Sequence, residues 1–96
     1  MKYTLTDGEE MAKEFPDTFE IPSRGERSRL RAGAIVKLGF EANGYMERMW
    51  VQIFRVNNVS TRNPDYVGVL DNNAISEGMP KYGDRIPFEP RHILSI

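Results

Sequence analysis

Cysteine is absent and histidine occurs once, at His92. The first absence removes disulfides, thiolate metal sites and cysteine nucleophiles together. The second leaves one imidazole in a C-terminal turn, and no serine or aspartate stands around it at the spacing of a known triad. No apolar run approaches the ~18 residues that cross a bilayer. The N-terminal stretch MKYTLTDGEEMAKEF turns acidic where a secretory signal needs an unbroken apolar segment, so a cytoplasmic address is expected. Glycine-rich phosphate loops are missing as well, because Gly78, Gly83 and the Gly83-Asp84 step match neither a P-loop nor a dinucleotide fingerprint. Asp71-Asn72-Asn73 through Glu77 offers oxygen ligands but lacks the alternating register of a calcium loop, and reads as a turn held by Asx side chains. The expectation is a protein that is not an enzyme and that carries no cofactor and no metal.

What remains is a chain of 96 residues, 40% hydrophobic and 28% charged, which suits a single domain over residues 1–96. The formal net charge of −1 hides an uneven distribution. Residues 1–22 carry two lysines against six carboxylates, residues 23–62 carry eight basic side chains against three acids, and residues 63–96 carry three against five. The near-neutral total argues against an acidic DNA mimic and against a strongly basic nucleic-acid binder, while local binding by the basic middle segment stays open.

One short N-terminal helix is expected over residues 6–15, with Thr6 as N-cap, Glu9 completing a capping box, and Pro16 ending it. Its apolar stripe, Met11 and Phe15, is narrow, so the helix should lie against something larger. Phe19 and Ile21 continue in an extended segment to Pro22. The segment SRGERSRLR, residues 23–31, has Leu30 as its lone apolar residue and reads as loop or sheet edge. Strand-like alternation begins after Gly33, placing Ala34, Val36, Leu38 and Phe40 on one face. Asn43-Gly44 is a strong hairpin signal, so Tyr45 to Val56 should pair back antiparallel. A polar excursion over residues 57–64 precedes a third strand, Tyr66 to Leu70. A short strand around Ile86 and Phe88, a 3₁₀ turn after Pro90 and a last extended piece complete the pattern. The fold class that follows is mainly β (α+β): a small antiparallel, SH3-like or rolled β-barrel over residues 33–96, with the helix on its rim or across one face.

Three groups of residues, Glu47-Arg48-Met49-Trp50-Val51, then Tyr66-x-Gly68-x-Leu70-x-Asn72, then Gly83-Asp84-x-Ile86-x-Phe88 with Ile93 behind it, resemble the YegJ-like family of bacterial and phage proteins. The likeness spans roughly residues 30 to 96. That family's pattern has a proline soon after the asparagine, where this chain reads Asn73-Ala74. The resemblance implies a compact cytoplasmic module and supplies no reaction and no ligand, the family being a domain of unknown function.

Two features carry binding chemistry. The second strand places Met49, Val51 and Ile53 on one face and Arg48, Trp50, Gln52 and Phe54 on the other, so both faces hold large apolar groups. One face is core, and the Trp50/Phe54 face then needs a cover: either the N-terminal helix, with Met11 and Phe15 as a lid, or a ligand or partner. The second feature is the run Arg24, Arg27, Arg29 and Arg31, which reads either as solvated edge charge or as a phosphate grip, with Arg48 beside Trp50 adding stacking. The candidate ligand- or partner-binding residues are Arg48, Trp50, Phe54, Arg27, Arg29 and Arg31. Small size and the lack of catalytic groups favour a non-catalytic module that recognises another protein, of the kind a phage or bacterial inhibitor or immunity factor would be. The alternatives are a phage counter-defence sponge for a nucleotide signal and a local nucleic-acid-binding module. A protein partner comes first, a nucleotide-like small molecule second and no membrane is expected; monomer and homodimer stay open.

Overall fold

Asn43 and Gly44 stand at φ of 52° and 81°, the left-handed pair that closes a two-residue hairpin with the twist its strands require. The computed structural model describes residues 3–59, 61 and 63–96. Along the chain run β1 (Thr4–Leu5), α1 (Gly8–Glu14), α2 (Arg24–Ser28), β2 (Ile35–Ala42), β3 (Tyr45–Asn57), β4 (Asp65–Leu70), β5 (Arg85–Phe88), a 3₁₀ turn (Pro90–His92) and β6 (Ile93–Ser95). The strands form one antiparallel sheet in the order β1-β2-β3-β4-β5. The free edge of β2 is shared, β1 pairing with Phe40 and Glu41, and β6 with Lys37 and Leu38. No ladder among the described residues joins β5 back to β1. The fold is therefore mainly β, an open sheet curled like half of a small barrel. Ser60 and Arg62, within the expected polar excursion, lie outside the described residues.

Alternation decides which face is core. Val36, Leu38 and Phe40 of β2, Met49, Val51 and Ile53 of β3, Tyr66 and Leu70 of β4, Ile86 and Phe88 of β5 and Ile93 of β6 form one buried cluster on the concave face. Each full-sized aliphatic or aromatic side chain withdrawn from water there contributes about 1.5–3 kcal/mol. The β3–β4 ladder steps from Ile53↔Gly68 to Arg55↔Val67, leaving Phe54 as the extra residue of a bulge. Phe54 and Arg55 both face outward as a result, and Val56 returns to the core side. Gly68, paired with Ile53 beside the bulge, has no room for a side chain: a Cβ there would stand 2.3 Å from Val51 Cγ1 and 2.9 Å from the Gln52 carbonyl oxygen.

The structure corrects the expected helical content. Residues 24–28, read as loop or edge, form α2, because Ser23 and Glu26 make a reciprocal capping box. The N-cap of α1 is Asp7, whose Oδ1 accepts the Glu10 N–H at 3.1 Å. Thr6 is used elsewhere, its hydroxyl donating to Glu41 Oε2 at 2.6 Å and its N–H to the Gly39 carbonyl.

Of the two covers weighed for the Trp50/Phe54 face, the helix sits at its Leu94 and Gly39 end and leaves both rings part-exposed. α1 packs on the 3₁₀ turn, and Phe15 is itself 46% exposed. Gly8 causes this placement: it is buried so close to β6 that a Cβ would meet Leu94 Cδ2 at 2.9 Å. Ion pairs from Asp7 to Arg91 and from Glu9 to Arg27 fix the helix at that corner.

Candidate functional site

β3 positions the aromatic candidates. Trp50 is 36% exposed and Phe54 39% exposed on the convex side of the sheet, the face opposite the core cluster. The register sets Lys37, Trp50 and the start of the β4–β5 loop at Asp71 side by side, then Ile35, Gln52, Val69 and Arg85, then the Phe54/Arg55 bulge, Val67 and Pro87. Each of the three rows thus carries one cation, Lys37, Arg85 or Arg55, beside apolar side chains. Lys37 Nζ stands 4.6 Å from the Trp50 ring centroid, and the Arg85 and Arg55 guanidiniums lie 5.2 and 5.7 Å from that of Phe54. Asp71 is the carboxylate within these rows, at the Trp50 end. A shallow depression of about 440 Å³ opens there between Ile35, Trp50, Asp71 and Ile96.

The Trp50 backbone is held firmly. Its N–H donates to Asn72 Oδ1 at 2.9 Å, and its carbonyl accepts from the Asp71 N–H at 2.9 Å, so Asn72 prolongs the ladder past the end of β4. Glu47, two pleats short of Val51 on the same strand, takes the N–H groups of Ile75 and Ser76. Asp84 accepts from the Lys81 N–H through its side chain and from the Leu70 N–H through its carbonyl. Glu47, Asn72 and Asp84 are staples of the loop between β4 and β5.

The basic candidates separate into different places. Arg48 lies on the Trp50 side of β3, yet its guanidinium sits 5.2 Å from the Phe19 ring centroid, the ring brought there by the turn after α1. Arg27 is 5% exposed. Its Nε donates to the Pro22 carbonyl at 2.8 Å, its Nη1 to Glu9 Oε2 at 2.6 Å and to the Pro90 carbonyl at 3.1 Å. The Arg27 carbonyl accepts from the Tyr66 hydroxyl at 2.7 Å, tying α2 to the core. Arg27 is thus committed inside the fold, while Arg29 and Arg31 line a groove of about 800 Å³ with Arg24, between α2 and the end of β3. Sequence reasoning missed Lys37, Arg55 and Arg85 beside the aromatics. Lys37 was within reach, since counting back from the Asn43-Gly44 turn pairs it with Trp50.

His92 is placed as a structural group. Its Nδ1 accepts the Glu89 N–H at 3.0 Å, and burial, reinforced by the Arg91 charge, lowers its pKa from the ordinary 6.5. Burial works against the ionised Asp7 carboxyl, but the Glu10 N–H and Arg91 outweigh it and lower its pKa from 3.8. Among the described residues no helix is long and apolar enough to cross a membrane. No family model, curated protein or solved structure matches the chain.

Proposed function

We propose that this chain is a non-catalytic binding module that docks another protein on the convex face of its sheet, with Trp50 and Phe54 as anchors. The observation that carries the reading is the part-exposed aromatic pair on one strand, with α1 held at the Leu94 end of that face. Aromatic side chains held in place by a ladder are the residue types that dominate interface energetics, because little side-chain entropy is lost when they are covered. Lys37, Arg55 and Arg85 stand against them, with Asp71 as the carboxylate in the rows, so the matching partner is acidic with an apolar centre. A second copy docking face to face would set these cations against each other. An inhibitor or immunity-type factor would use a surface of this kind.

The test is capture from a cell lysate by immobilised wild-type protein and by the Trp50→Ala/Phe54→Ala variant, with folding of both checked by circular dichroism. The expected result is an acidic polypeptide retained by the wild type, released by raised salt and depleted at least about tenfold by the variant. Identical sets of retained polypeptides would refute the assignment of this face.

A further inference from the structure

The groove beside α2 lies apart from the convex-face rows and shares no residue with them. We infer that it is a second binding site, for a phosphate ester of nucleotide size. Its walls come from α2 and the turn after it, and from Val56, Val59 and Thr61 at the end of β3 and beyond. A volume of about 800 Å³ falls within the usual range for small-molecule sites, ~300–1,000 Å³.

The disposition of the arginines carries the argument. A merely solvated basic segment would turn its cations outward alike. Here Arg27 is folded inward onto Glu9, while Arg24, Arg29 and Arg31 line one concavity. Among the described residues neither Arg29 nor Arg31 has a carboxylate partner. Arg24 shares Glu9 and reaches Asn63 Oδ1 at 3.1 Å. Arg29 and Arg31 line the groove without a carboxylate, and their planar donor pairs match the oxygens of a multiply charged phosphate better than a single carboxylate. Leu30, Val56 and Val59 line the rest, an apolar support for an organic group but without an aromatic ring for stacking a base. Ser28 also lines the groove, and its buried Oγ has no hydrogen-bond partner among the described residues. A buried hydroxyl left unpaired is unfavourable, and a bound phosphate gives it an acceptor after a small shift of its surroundings.

Two properties follow from this lining. Affinity comes from the phosphates, so it rises from AMP to ADP to ATP and falls with salt; base identity has little weight. The Ser28 hydroxyl is unpaired in the free protein and used in the complex, so Ser28→Ala raises the melting temperature of the free chain while weakening the complex.

The experiment is calorimetric titration of the full chain with pyrophosphate, AMP, ADP and ATP at low salt. It is run on wild type, Arg29→Ala/Arg31→Ala, Ser28→Ala and Trp50→Ala, with a ten-residue single-stranded oligonucleotide as a further titrant. The expected result is binding that strengthens with phosphate number, tighter for ATP than for pyrophosphate. The double arginine variant should lose about tenfold or more, Ser28→Ala severalfold, and Trp50→Ala nothing. Arg29 and Arg31 are exposed, so their removal leaves the fold intact for comparison. No binding of any titrant at millimolar concentration would overturn the inference, as would equal binding by the double arginine variant. Loss confined to Trp50→Ala would move the phosphate to the sheet face. Pyrophosphate binding as tightly as ATP would remove the ester, and binding of the oligonucleotide alone would replace it with nucleic acid.

Discussion

The two faces of β3 are built from one run of alternating residues, yet they do different things. Met49, Val51 and Ile53 are fully enclosed by β2, β4 and β5, so their shapes are set by close packing against neighbours. Arg48, Trp50, Gln52 and Phe54, one position out of step, meet water and one another's charges. The two faces share a ladder, which means the inner face supplies the rigidity that the outer face uses. Side chains that a fold does not need for its own stability, held still by a strand it does need, are well suited to binding. The difference also shows how a 96-residue chain can stay folded while displaying an indole and a phenyl ring: cations lie over both rings and keep the patch partly hydrated.

The comparison breaks most directly through the inner face. Ile53→Ala opens a cavity beneath β3 and is expected to lower stability by about 3–4 kcal/mol. Chemical denaturation measures the loss, and any partner binding that survives in the folded fraction should keep its wild-type affinity. Gly68→Ala strikes the same region by overpacking, since its Cβ falls on Val51 and on the Gln52 backbone. A loss of about 2–3 kcal/mol is expected, and because the bulge sets Phe54, partner affinity should fall too. Trp50→Ala is the mirror case: about 1 kcal/mol of stability at most, but a loss of partner affinity of about 2 kcal/mol or more. A melting temperature that drops as far for Trp50→Ala as for Ile53→Ala would erase the distinction between the faces.

The smallest effect sharpens the comparison from outside the sheet. The core carries no charge, whereas the corner joining α1 to the 3₁₀ turn is held by Asp7, Arg91, Glu89 and His92, with Glu9 nearby. The His92 pKa is lowered in the folded chain, so the unfolded chain takes up the proton first, and stability begins to fall as pH drops below about 6.5. The Asp7 pKa is also lowered; its contribution is complete above about 3.8 and is lost as pH falls through the folded value. Denaturation midpoints measured from pH 8 to pH 3 should therefore decline in two stages. His92→Gln should flatten the first stage and Asp7→Asn the second.

Local signals made much of the fold legible. The Asn43-Gly44 turn, the alternation through β2 and β3, and the 3₁₀ turn opened by Pro90 each stand where the sequence puts them. The misses have physical causes. Ser23-x-x-Glu26 is as good a capping box as Thr6-x-x-Glu9, but four arginines in the following run mask a helix of five residues. Thr6 is diverted from capping by a long-range partner, Glu41, which no local pattern reveals. The Phe54 bulge depends on Gly68, fourteen residues away, and the position of α1 depends on Gly8 meeting Leu94 across nearly the whole chain. The candidate site was legible by face and not by neighbourhood. Trp50 and Phe54 share the face that alternation assigns, whereas the arginines could not be sorted from spacing: Arg27 turns inward to Glu9 and its neighbours remain at the groove.

Docking on the convex face is probed by a photo-crosslinking amino acid at position 52, in the middle row between Trp50 and Phe54, with the same group at exposed Lys13 on α1 as control. Irradiation in lysate should give one discrete acidic adduct from position 52, absent from position 13 and suppressed by Trp50→Ala. Adducts that are the same at both positions, or that form equally well after Trp50→Ala, would rule out docking on this face.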